Sequence, residues 1–270
     1  MRWIALPTVL VTIACTGGTE PKDTSGTEQD SSGTTTPTTT EPTPMGRISG
    51  IIVDETGAPW PDATVNLCRE VCRLDRTDTT GAFSIEAEGG IWALEVVVDP
   101  TDPASGWSTP LFPVEIAVEV DRVLDAPVVV YALDAIQPLT APGELELTPG
   151  FFVTADPEEW EAPILTPDAD PWLAAVRFNF AASGTPTDGL SGTVLDAWMV
   201  APTTTHPTAP WPIRLSSASL ASDQTAEVWV SDYATQAWLP AGTVSSDEDG
   251  LLRGASLTTL GTVVLVEPAP

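Results

Sequence analysis

Residues 76–98 read RTDTTGAFSIEAEGGIWALEVVV, and their spacing decides the fold class. Asp78 to Gly81 is turn chemistry, because an Asp side chain bonds amides just downstream and Gly accepts positive φ. Phe83 and Ile85 then fall on one face of an extended segment, and Gly89-Gly90 marks a second turn. Trp92, Leu94, Val96 and Val98 alternate with Ala93, Glu95 and Val97. A period of two is the pattern of antiparallel strands with one apolar and one wet face, which puts Glu95 in water.

The same grammar extends in both directions. Upstream, residues 46–67 read GRISGIIVDETGAPWPDATVNL, a strand, a turn and a strand. Ile51 and Val53 share a face, Asp54, Gly57 and Pro59 make the turn, and Val65 and Leu67 alternate with Thr64 and Asn66. Downstream, VEIAVEV (114–120) sets Val114, Ile116, Val118 and Val120 on one face, and PVVVYAL (127–133) is a closing strand.

Together these residues resemble the carboxypeptidase regulatory-like domain. The positions that carry the resemblance are Gly50, Asp54, Gly57, Pro59, Ala63 and Val65, then Thr77, Asp78, Gly81 and Phe83, then Gly90, Leu94 and Val96. Trp92 stands where that family usually has tyrosine. The resemblance implies a transthyretin-like β-sandwich over residues 46–134. It also implies an accessory module, found beside zinc carboxypeptidases and in bacterial surface proteins, with no catalytic residues of its own. The peptidase itself needs several zinc ligands, commonly His and Glu. This chain has one histidine.

Residues 135–270 read as a second all-β domain. Leu145 and Leu147 alternate with glutamates, and Val176, Phe178 and Phe180 with Arg177 and Asn179. TVLDAWMV (193–200), AEVWVSDY (226–233) and GTVVLVEP (261–268) are strands. The Pro-rich stretches 154–172 and 201–212 read as loops, and no segment sustains a helical period. The final forty residues resemble C-terminal β-units of bacterial surface proteins, without a named family. The fold class expected is therefore all-β, with two antiparallel β-sandwich-like domains.

Thirty-eight acids against ten bases give a formal charge of −28. Such a surface repels phosphate backbones and anionic head groups, so neither nucleic acid nor a basic membrane-binding patch fits. The membrane is reached another way. Arg2 precedes the twelve-residue apolar run WIALPTVLVTIA, too short to span a bilayer and the right size for a signal peptide over residues 1–14. Thr12, Ile13 and Ala14 before Cys15 resemble the lipobox of bacterial lipoproteins, although leucine is favoured where Thr12 stands. That resemblance implies cleavage after Ala14 and lipidation of Cys15, and two or more acyl chains give durable anchoring. Residues 15–45 are Thr/Ser/Pro/Gly-rich, with too little apolar surface to offset ordering entropy, and read as a disordered tether. With Thr16 after the cysteine, the outer membrane is the expected address, with surface exposure open. The expected partners are the membrane through its anchor and an envelope protein or glycan.

The remaining cysteines, Cys68 and Cys72, lie too far apart on one strand to bond but meet across a three-residue hairpin loop. A disulfide stapling a hairpin is expected, as an oxidising compartment permits. Pairing them sets Leu67 opposite Arg73 and Val65 opposite Asp75, a mixed face that suggests a bulge or another register.

No catalytic residue, metal site or cofactor is expected. His206 sits in TTTHPTAP as an exposed loop residue, and no Gly-x-Ser-x-Gly elbow accompanies it. Glu158 with Glu159 and Asp168 with Asp170 are carboxylate pairs of the kind that cleave glycosides, as chance allows among so many acids. Asp247 and Asp249 before Gly250 look like part of a calcium loop but lack its bidentate glutamate. Loop tryptophans, Trp60 and Trp211 above all, can stack on sugars, which makes carbohydrate binding the alternative to an interaction module and an envelope hydrolase the third reading.

Overall fold

The computed structural model describes residues 44–98, 106–163, 169–220 and 224–268. The signal segment, Cys15, nearly all of the tether and Asp168 lie outside the described residues. Among the described residues no helix is long and apolar enough to cross a membrane.

The fold is all-β. Nine strands make the first part: β1 Met45–Asp54, β2 Thr64–Cys68, β3 Cys72–Arg76, β4 Ala82–Glu88, β5 Gly90–Val97, β6 Trp107–Ser108, β7 Phe112–Ile116, β8 Asp121–Val123 and β9 Val128–Ala132. They form a sandwich of one sheet in the order β4-β1-β9-β6, with β8 also on β1, and another in the order β3-β2-β5-β7. Most pairings are antiparallel, while β8 and β9 run parallel to β1.

The residues behind the family resemblance have plain physical jobs here. Asp54 accepts bonds from the backbone amides of Thr56 and Ala58 and from the Thr56 hydroxyl, and Asp78 does the same with Thr80 and Ala82. Each such side chain satisfies backbone donors that the turn leaves free. Gly81 has φ +76°, and a Cβ there would lie 2.2 Å from the Ile52 carbonyl oxygen. Buried Thr77 accepts from the Ala63 amide and donates to the Trp60 carbonyl, closing the open end of the β2–β3 hairpin.

Three expectations need correction. Ile51 is exposed, and the core face of β1 carries Ile48 and Ile52 instead. Gly50, between them, packs on the Phe83 ring. The strand after Phe112 stops at Ile116, because residues 117–120 turn, with Glu119 at φ +59°, and Val118 and Val120 face solvent. No bulge relieves the mixed hairpin. Leu67 does face Arg73, and Val65 does face Asp75, in plain register. Since β3 is an exposed edge, its polar side chains reach outward, Arg73 to Glu88 and Asp75 to the Ser84 amide.

Two of the strand edges carry contacts that take up backbone groups. Asp75 Oδ2 accepts from the Ser84 amide at 2.7 Å, bridging β3 to β4. On β7, Pro113 has no N–H to offer, and Arg122 donates to the Glu115 carbonyl at 2.8 Å.

Ten further strands follow: β10 Gln137–Pro138, β11 Gly143–Thr148, β12 Phe151–Ala155, β13 Trp172–Phe178, β14 Thr193–Ala201, β15 Trp211–Leu215, β16 Thr225–Asp232, β17 Ala237–Ser246, β18 Leu252–Leu257 and β19 Thr262–Glu267. They form one sheet in the order β10-β13-β14-β19-β16-β17-β18-β15-β12-β11, rolled until β11 comes beside β13. Inside lies a core that includes Leu147, Phe151, Trp198, Trp211, Val228 and Leu265.

The outer face of β13, β14 and β19 is apolar too. Val176, Phe178, Ala197, Met199, Val264 and Val266 belong to the same continuous core as the sandwich residues Ile52, Leu94 and Val130. The described residues make one compact unit. The apolar runs WLAAVRF and TVVLVE are explained by strands covered on both faces.

Candidate functional site

Strand β5 is buried on both faces, and its outer face is covered by the segment after β14 and the β16–β17 turn. Glu95, read from sequence as solvent-facing, is only 7% exposed. Thr203 donates its hydroxyl to Glu95 Oε1 at 2.6 Å, and Asn66, directly opposite in β2, adds a side-chain hydrogen bond. Burial pushes the Glu95 carboxyl above the usual carboxylate range, with these two bonds pulling the other way. Tyr233 lies close enough that, after burial, the Glu95 charge is the second cause raising its phenol pKa. The Tyr233 hydroxyl is 3.2 Å from Cys72 Sγ.

The segment that supplies Thr203 is held tightly. Thr204 sits at φ +68° and donates its amide to the Leu260 carbonyl, while Leu260 donates to the Thr205 carbonyl. His206 is half-buried rather than exposed, because its Nε2 stands 3.7 Å from Oδ1 of buried Asp232. Oδ2 of Asp232 accepts from the Thr235 amide and hydroxyl. A His beside a buried Asp is the base-and-orienter half of a hydrolytic triad. Among the described residues His206 makes no hydrogen bond to a hydroxyl or thiol.

The Cys68 and Cys72 sulfurs are bonded, at the tip of the β2–β3 hairpin. Trp60 forms a tilted pair with Trp107 at 5.2 Å between ring centroids, and Trp107 is 39% exposed. Trp211 is different: it opens strand β15, is 1% exposed, and donates its indole N–H to Glu159 at 2.9 Å. Its ring packs near Trp160, so no face is left for a sugar. Glu159 thereby serves as a structural acceptor, and Asp156 caps the short turn that carries Glu158.

Around Asp247 the cation is a side chain. Its Oδ1 accepts from the Asp249 and Leu251 amides, and the Arg253 guanidinium bonds both Asp247 and Asp249. This is the third turn built on Asp-x-[Thr/Asp]-Gly, after Asp54 and Asp78, and the one among these three that joins two paired strands. Among the described residues no group of three or more His, Cys, Asp or Glu is placed to hold a metal ion.

The sequence reading missed Glu95, Thr203, Asn66, Tyr233 and Asp232. One signal was available for the first: Glu95 shares its face with Ile91, Ala93 and Val97, an apolar neighbourhood for a side that was expected to be wet.

No protein-family model matches the chain, and no curated protein does. Among solved structures, the Bacillus anthracis TIE protein aligns at 9% identity and TM-score 0.28, over 83% of this chain and 49% of that one. A streptococcal ancillary pilin aligns at 13% identity and TM-score 0.25, over 85% of this chain and 55% of that one. The chain thus spans about half the length of the solved structures it matches. At these TM-scores neither similarity carries an argument about function.

Proposed function

We propose that the chain is an exported, lipid-anchored envelope protein whose β body acts as a non-enzymatic interaction or structural module. The observation that carries this reading is the continuous apolar core running from the sandwich into the outer face of the rolled sheet. A body built that way holds its loops at fixed spacing, which suits display on a tether. The lipobox-like run before Cys15 and the low-complexity stretch after it supply the anchor and the tether, and the outer membrane is the address proposed. The sandwich is compatible with a carboxypeptidase regulatory-like domain, on the residues named above. Metabolic labelling tests the anchor: radiolabelled palmitate enters the wild type and not Cys15→Ala. Label retained by the variant refutes it.

The Trp60–Trp107 pair supports a second reading, a carbohydrate-binding surface lipoprotein. Paired indoles beside an acidic surface suit neutral sugars, whose C–H faces stack on aromatic rings. On a glycan array the wild type binds a neutral glycan, and Trp60→Ala and Trp107→Ala each abolish the signal. Binding that survives both substitutions removes the pair from consideration.

A further inference from the structure

The junction between sandwich and rolled sheet contains a carboxylic acid with no basic partner. Glu95 takes hydrogen bonds from Asn66 and Thr203, and among the described residues no Arg or His forms an ion pair with it. The other groups on the elements around it do not compensate. From β2 there is uncharged Asn66, and from β3 there is Arg76, outward and paired with Asp62 at 3.9 Å. From β7 there is exposed Glu115. From the covering segment come Thr203 and Thr205, with His206 turned to Asp232, and from the end of β16 and its turn come Asp232 and Tyr233. None of these groups offsets the burial of the carboxyl, whose protonation is governed by burial first and by the Thr203 and Asn66 bonds next.

We propose that Glu95 is a proton-controlled latch between the two halves of the body: protonated, it closes the contact with the 201–206 segment, and ionised, it loosens that contact. The protonated acid is an O–H donor as well as an acceptor, so it can exchange hydrogen bonds with Thr203 and Asn66 without leaving an uncompensated charge. The carboxylate keeps both acceptors but carries a buried negative charge near the Tyr233 phenol. The sign follows from linkage. A free Glu titrates at about 4.3, and burial raises the folded value. The latch is therefore fully closed below about pH 4 and weakens as pH rises through the folded pKa. This device is independent of how the chain is anchored or what it binds.

Hydrogen exchange on the full chain in detergent tests it, comparing wild type with Glu95→Gln between about pH 5 and pH 8. After correction for intrinsic exchange rates, peptides covering residues 201–206 and 232–237 open more often at high pH in the wild type. The full change, reached between a pH well below the free value of about 4.3 and one above the folded pKa, is about tenfold for each unit by which the folded pKa exceeds the free one. The part that falls between about pH 5 and pH 8 is smaller, because a free carboxyl is already mostly ionised at the lower end. In Glu95→Gln, which cannot ionise, the same peptides show no such rise. Parallel behaviour of the two proteins overturns the proposal. If Glu95→Gln does not fold, a carbon-13 NMR titration of the wild-type Glu95 carboxyl decides instead: a folded pKa at or below that of free glutamate overturns it.

Discussion

Strands β4 and β5 are neighbours in the chain, both alternate, and both carry a glutamate in mid-strand, yet they live in different surroundings. On β4, Phe83, Ile85 and Ala87 are buried while Ser84 and Glu86 face water, where Glu86 pairs with Arg47. On β5, residues 92–96 are all buried, and Glu95 is hydrogen-bonded to a threonine more than a hundred residues away. Alternation identifies the face that meets the sandwich core. It does not say what covers the other face, which depends on a distant segment.

That contrast can be broken by experiment. Ala93 lies on the covered face of β5, so Ala93→Asp buries an unpaired charge and costs about 4 kcal/mol in denaturant unfolding. A cost near zero would mean that this face is wet like that of β4. A smaller effect is expected at the turn leading into β4. Asp78 accepts hydrogen bonds first from the Thr80 hydroxyl and then from the backbone amides of Thr80 and Ala82, which hold its pKa below the usual carboxylate range. The stability it contributes is present above the free value of about 3.9 and is lost as pH falls through the lower folded value. Thermal melts of Asp78→Ala therefore show a deficit at neutral pH that closes in strong acid, the opposite pH sense to Glu95. The smallest effect belongs to Glu86→Ala, an exposed ion pair, where the midpoint is expected to stay within error of the wild type.

Much of the architecture was legible because turn chemistry and period-two spacing are local. Asp54, Asp78, Gly81 and the strands they connect follow from side-chain hydrogen bonds within four residues and from one glycine that no Cβ can replace. The closing strand at 128–132 and the β16 and β19 segments follow from alternation or apolar runs. What failed to read was non-local. Trp211 sits in a Pro-rich string that resembles a loop, and only the pairing of β15 with β12 and β18 makes it core. Alternation puts Ile51 and Val53 on one face, yet Ile51 is exposed and Val53 buried, because the run Ile51-Ile52-Val53 has no phase of its own. The partner change along β1, from β4 to β9, sets that phase. Glu95 and its partners come from β2, β5, the 201–206 segment and the β16–β17 turn, and no linear motif joins them.

The carboxylate of Asp75 seated on the Ser84 amide has a consequence beyond the hairpin it belongs to. A foreign chain looking for a vacant rung at that corner finds it filled by the protein itself. With Pro113 and Arg122 closing part of β7, growth by strand addition has little purchase at these two places. A partner docking at those two places meets side chains and loop tips rather than free backbone rungs.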